Sequence, residues 1–189
     1  MTKTRLEAFS DGVIAIIITI MVLEIRPPHG VMLGDLTPIA PELLAYVLSF
    51  IYIGIYWNNH HHLFQAVDHI SGGVMWANLH LLFWLSLVPF ATAWMGENGN
   101  AALPTAIYGC ALFGCAIAFT ILVRALLYHR SANPRLAAAI GGDRKGNISL
   151  LFYIAAIPLA FVHQRIADAL YVCVALIWLV PDRRIEQVM

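Results

Sequence analysis

The chain has 189 residues, 60% of them hydrophobic and 12% charged, and its eleven basic and eleven acidic side chains leave no formal net charge. A soluble domain carries about 45–50% apolar and about 25% charged residues, so this chain has too few charges for a water-facing surface and belongs in a membrane. Neutrality offers nothing to attract nucleic acid. Three cysteines, Cys110, Cys115 and Cys173, lie in apolar runs at spacings that suit neither a redox pair nor a zinc site, and read as packing residues.

A spanning helix needs roughly 20 apolar residues. Six stretches approach that length, at about 6–25, 41–64, 73–94, 104–128, 148–162 and 166–180, which predicts an all-α integral membrane protein with one six-helix domain over residues 1–189. The first stretch stops at Glu24-Ile25-Arg26-Pro27-Pro28, not at a small-residue cleavage site, so no removable leader is expected. Only His163-Gln164-Arg165 separates the last two stretches, and five spans would result if those two formed one broken element. No internal repeat is visible, which disfavours an inverted-repeat transporter within one chain.

Orientation follows the basic residues. With six spans and a cytoplasmic N-terminus, the inside carries Lys3, Arg5, Arg130, Arg135, Arg144, Lys145, Arg183 and Arg184, and the outside only Arg26 and Arg165. Both termini are therefore expected in the cytoplasm, with Pro181-Asp182-Arg183-Arg184 as a basic anchor.

The first stretch is chemically odd. It places Asp11 about two turns in from Arg5, where a carboxylate must find protein or water, because a charge at the centre of a span costs about 2.5–3.5 kcal/mol. Its purely apolar part, 13–23, is eleven residues, or about 16 Å at 1.5 Å per residue. Such a helix belongs at the centre of an assembly, shielded by greasier spans. Gly12, Ile16, Thr19 with Ile20, and Leu23 share one stripe, and Asp11, Ala15, Ile18 and Val22 the next. If the first stripe lines an axis, ions meet rings of branched aliphatic side chains, and such constrictions can gate by dewetting. Periodicity alone equally allows an ordinary buried helix with a satisfied Asp11. One small bundle has too few first-span helices to enclose an axis, so a pore requires an oligomer.

Other features read more plainly. His60-His61-His62 cannot converge on one metal ion, since consecutive helical residues point about 100° apart. His80 is expected to be a hydrogen-bonded core residue. Glu24-x-Arg26 is either an outer ring of charge or an interfacial helix end, and Asp168 and Arg124 have no partner that sequence rules identify. Nothing matches a nucleophile–base set, a phosphate loop or spaced histidine boxes, so an enzyme is not expected.

Several strings resemble a known family. Arg5-x-x-x-Phe9-Ser10-Asp11-Gly12 at the start of the first of six spans is similar to the signature of the transmembrane protein 175 family of potassium channels. The likeness extends to Trp57-Asn58-Asn59-His60-His61-His62-Leu63-Phe64, Asn78-Leu79-x-x-Leu82 and Leu87-x-Pro89-Phe90. It touches about half the chain, and the single six-span length resembles the bacterial branch. This resemblance implies a homotetramer in a bacterial inner membrane, with four first helices lining a potassium-conducting pore and no cofactor beyond the permeant K+. No carbonyl filter is implied, and no TVGYG-like string occurs. It implies a constriction at Ile16, five positions after Asp11, with pore-facing positions beyond it at Thr19 or Ile20 and at Leu23. Arg5, Phe9, Ser10 and Asp11 would form a packing and hydrogen-bond network with the second and third spans. The expected partners of Asp11 are the Trp57 indole N–H, one of His60 or His61 (with His61 preferred), and Asn78. The main alternative is a proton-coupled transporter or proton leak with Asp11 and His60 or His61 as relay; a third is a membrane scaffold without transport.

Overall fold

The computed structural model describes residues 2–67, 69–99, 101–128, 133 and 144–179. Arg130, Arg135, Arg183 and Arg184, which enter the orientation argument, lie outside the described residues, as do Pro181, Asp182 and the end of the sixth stretch at Val180. Among the described residues, seven α-helices follow in chain order: α1 Lys3–Leu23, α2 Ala40–Gln65, α3 Gly72–Ser86, α4 Val88–Glu97, α5 Ala102–Tyr128, α6 Arg144–Val162 and α7 Gln164–Leu179.

Local chemistry sets the ends. α1 stops at Glu24, before Pro27-Pro28, because the residue preceding a proline is driven out of the helical region. A short 3-10 turn at Leu33–Leu36 follows, tied by the Met32 N–H to Asp35 Oδ2 at 2.8 Å. α2 starts with Pro41 in its first turn, where the missing N–H costs nothing. Ser71 caps α3, its Oγ accepting from the Val74 N–H at 3.4 Å.

The third stretch, expected as one span, is two helices. Pro89 has no N–H for the Leu85 carbonyl four residues back, and its ring crowds that turn. The chain tightens at Leu87, whose N–H bonds Trp84 O at 3.2 Å, and then resumes with Ala91 N–H to Leu87 O at 3.1 Å. Taken together, α3 and α4 still make one crossing-length unit, Gly72–Glu97. With α1, α2, α5 and residues Lys145–Val162 of α6, that gives five helical units long and apolar enough to cross a membrane among the described residues.

α7 has 16 described residues. It is not a continuation of α6. Tyr153 meets Tyr171, with ring centroids 6.4 Å apart, and the Trp178 indole donates to Ser149 Oγ at 2.8 Å. These pairs step outward on both sides of His163, so the two helices form an antiparallel hairpin.

Two cores result. One joins α1, α2, α3 and α5 around Ile14, Ile17, Leu81, Leu85 and Leu122. The other joins α2, α4, α5, α6 and α7 around Tyr52, Tyr108, Leu112, Tyr153 and Tyr171. Glycines set the closest approaches. A Cβ on Gly114 would enter the Trp84 ring, and one on Gly109 would meet the Tyr171 hydroxyl. Large apolar side chains such as Val47, Ile121, Leu151 and Ile154 face outward, as a lipid-facing surface requires.

Candidate pore helix and its mount

α1 buries Leu6, Ser10, Ile14, Ile17 and Met21, a single stripe turned toward α2, α3 and α4. In its middle lies a directional chain of hydrogen bonds. Ser10 donates to its own helix at Leu6 O at 2.8 Å, and Asn78 Nδ2 of α3 donates to Ser10 Oγ at 2.9 Å. The Asn78 amide is thereby oriented with Oδ1 free to accept, so His60 of α2 donates from Nε2 at 2.8 Å. All three side chains are fully buried. Three helices are thus pinned by one imidazole, one amide and one hydroxyl.

Asp11 sits beside this chain, not in it. It accepts from the Trp57 indole N–H at 3.0 Å. The other expected partners are not there: among the described residues, no hydrogen bond reaches Asp11 from His60, His61 or Asn78. His61 instead stacks on Trp57, with planes 18° apart, and bonds the Gln65 side chain at 2.8 Å. The preference for His61 is therefore corrected. His60 is the ring that enters the core, and His61 braces the indole that holds Asp11. His62 is half-buried with Nδ1 unpartnered, so the three rings diverge. Arg5 is exposed and makes no hydrogen bond or ion pair among the described residues, and Phe9 is half-exposed; both stand outside the network.

The opposite face of α1 is bare within one chain. Ile16 is 58% exposed, Ile20 41% and Leu23 79%, and Gly12, Ala15, Thr19 and Val22 share that open side. The Thr19 hydroxyl lies 2.9 Å from Ile16 O and 3.1 Å from Ala15 O. Its proton is committed to the helix backbone, so its oxygen presents lone pairs outward, the polarity a cation seeks.

Sequence reasoning missed the surface beside this stripe. A cleft of about 700 Å³ separates Val13, Ile16 and Ile20 from Pro89, Phe90 and Trp94, and Glu24 and Glu97 also line it. Arg26 Nη2 reaches Glu97 Oε1 at 3.9 Å, both side chains largely in the open. The only sequence signal for the cleft is Pro89, which breaks the third span and swings α4 relative to α3. His80 accepts from the Trp84 indole at 3.0 Å within α3, so it is hydrogen-bonded as expected, but it is half-buried and not part of either core. No group of three or more metal-ligating side chains converges among the described residues.

Residues 5–89 match the family described as the endosomal/lysosomal potassium channel TMEM175. The chain is 55% identical over 187 residues to a protein of Chryseobacterium sp. (strain P1-3) named as a potassium channel, covering 99% of this chain and 97% of that one. A Streptomyces collinus protein also named as a potassium channel is 33% identical over 187 residues, covering 91% and 89%. The fold is similar to the crystal structure of a lysosomal potassium-selective channel TMEM175 homolog from Chamaesiphon minutus. The TM-score is 0.79 at 27% identity, over 94% of this chain and 96% of that one.

Proposed function

The chain belongs to the TMEM175 family, and from that premise we propose that it is a potassium channel. Four copies, each crossing a bacterial inner membrane six times with both termini in the cytoplasm, gather their α1 helices around one axis. Ser10 and Asp11, with Trp57, His60 and Asn78, belong to the mount of that helix, while Arg5 and Phe9 stand outside it; the ion path runs over Ile16, Thr19, Ile20 and Leu23. Ile16 forms the constriction and Thr19 offers oxygen to a partly dehydrated ion.

The observation that carries this reading is the bare face of α1. A helix that leaves the Asp11 carboxylate and the Thr19 hydroxyl oxygen exposed is poorly suited to lipid, where a charged side chain at the centre of a span costs about 2.5–3.5 kcal/mol. Copies of the same helix, with water and ions between them, resolve that conflict. The hydrogen-bond pattern speaks against a proton relay, since Asp11 is on Trp57 while the His60 chain runs separately to a backbone carbonyl of α1, where a proton cannot be handed on.

Purified protein in vesicles should pass potassium faster than sodium. Ile16→Asn should raise the flux and blunt the discrimination, because a polar ring lowers the dewetting barrier. Asp11→Asn should chiefly damage assembly. A folded Asp11→Asn tetramer that loses only a pH-driven flux would instead establish the relay, and no flux under any gradient would leave a scaffold.

A further inference from the structure

We propose that the turn joining α1 to α2 docks on the bilayer itself, with its apolar tip Val31-Met32-Leu33 seated in the headgroup layer of the leaflet opposite the chain's N-terminus. Only the spanning of α1 and α2 is required, which their length and composition allow; no particular number of subunits enters.

Three consecutive large apolar side chains stand in the open at this tip, with Val31 99% exposed, Met32 74% and Leu33 87%. A built turn displays them. Asp35 folds back under the run, and its Oδ2 accepts from the Met32 N–H at 2.8 Å. A Cβ on Gly30 would strike the same carboxylate, so the chain closes tightly over it. The Asp35 N–H bonds Met32 O at 3.0 Å, the Thr37 N–H bonds Gly34 O at 3.1 Å and the Ala40 N–H bonds Thr37 O at 3.3 Å. These bonds lead from the tip straight into α2. Within the 3-10 turn Leu33–Leu36, side chains three apart eclipse, which puts Leu33 and Leu36 on one face. Asp35 is the only Asp, Glu, Lys or Arg between Arg26 and Glu42, and its carboxylate is engaged by its own backbone.

Such a run gains by leaving water, and either lipid or protein could receive it. Topology favours lipid. The turn is tethered at both ends to helices of crossing length, one ending at Leu23 and the other starting at Ala40. Leu33 and Leu36 lie a few residues from Ala40, so the tip stays near the membrane surface. A bilayer boundary moulds itself to any apolar shape and binds through buried apolar area alone. A protein partner asks for more: Val31, Met32, Leu33 and Leu36 are few against the roughly 20–30 residues a side of a standard interface. Seated in this way, the turn anchors the far end of α1 through Pro27-Pro28, whose fixed φ angles leave little slack.

The test places a nitroxide on Val31→Cys or Leu33→Cys in vesicles of phosphatidylethanolamine and phosphatidylglycerol. The chain carries Cys110→Ser and Cys173→Ser, and the buried Cys115 is left in place. Power saturation compares collisions with oxygen, which enriches in lipid, and with a water-soluble nickel chelate. Both labels should show an oxygen-to-nickel ratio several-fold above that of the same label on Arg26→Cys, a side chain largely in the open. A ratio equal to that at Arg26→Cys would put the tip in water, and low access to both reagents would put it against protein, such as a second copy; either result overturns the proposal. Adding Val31→Asp and Leu33→Asp to a label at Met32→Cys should move that label into water, read as a several-fold loss of the oxygen preference. A label that stays in lipid would show that the apolar run does not seat the turn, and the proposal would fall. Potassium flux in the same vesicles reads the pore separately, so flux lost with the oxygen preference intact would strike the channel reading and support the anchor.

Discussion

The buried polar groups of the two cores are wired in opposite ways. Beneath α1, His60, Asn78 and Ser10 are linked side chain to side chain, and each link depends on a residue from another helix. Between α2, α4, α5 and α7, three hydroxyls donate to backbone carbonyls. Tyr52 donates to Tyr171 O at 2.6 Å, Tyr171 to Thr105 O at 3.2 Å and Thr92 to Val88 O at 2.7 Å. Ser49 joins Thr92 at 2.7 Å and Tyr108 at 3.0 Å, so it keeps one partner if the other is lost. Removing the hydroxyl of Tyr52, Tyr171 or Thr92 leaves a carbonyl already served by its helix, and removing that of Tyr108 leaves Ser49 on Thr92. Removing the amide from the first strands a buried imidazole. The helix read as the pore wall is thus held by bonds without substitutes, and the surrounding bundle by bonds that have them.

Four substitutions probe that contrast. Asn78→Leu should have the largest effect, about 1–3 kcal/mol from the stranded His60 donor alone. It should show as a fall in thermal stability in detergent and as dissociation of the oligomer before loss of helix. Gly114→Ala comes next, since its Cβ would push into the Trp84 ring where α3 meets α5; about 1–3 kcal/mol of overpacking strain is expected, with thermal unfolding as the measure. Tyr108→Phe, in the redundant core, should cost only about 0.5–1.5 kcal/mol and leave potassium flux unchanged. A cost equal to that of Asn78→Leu would erase the distinction between the cores. Arg26→Gln should be smallest, about 0–1 kcal/mol, because its pair with Glu97 is long and exposed. Stability measured at low and high salt should barely separate it from the parent chain.

Much of this arrangement was legible in the residues. Pro27-Pro28 ended α1, Pro41 opened α2, and the apolar runs located the helices to within a few positions. Asp11 stood out as a carboxylate inside an apolar span, whereas Ser10, Trp57, His60 and Asn78 were marked only by the family resemblance. The bond from Trp57 to Asp11 was expected and is present, but the pairing of the histidines and Asn78 was not legible. His60 and His61 point about 100° apart on α2, and nothing in the string says which direction faces α1. The structure turns His60 onto Asn78 and His61 onto Trp57 and Gln65, so neither ring makes the expected hydrogen bond to Asp11. The break at Leu87 was within reach, since Pro89 carries it, but a proline inside an apolar run is equally compatible with a kinked continuous span.

From the string alone came the solvent, the helices and the oddity of the first of them, because each rests on local properties: hydropathy, backbone chemistry, and the cost of a carboxylate among aliphatic neighbours. Tertiary structure decided the rotation of each helix about its own axis, and with it the partner of Asp11, the bare stripe through Ile16 and the cleft walled by Phe90 and Trp94. Periodicity relates residues within a helix to one another but leaves the angle of the whole helix undetermined. That angle is chosen only when side chains of different helices compete for the same buried space.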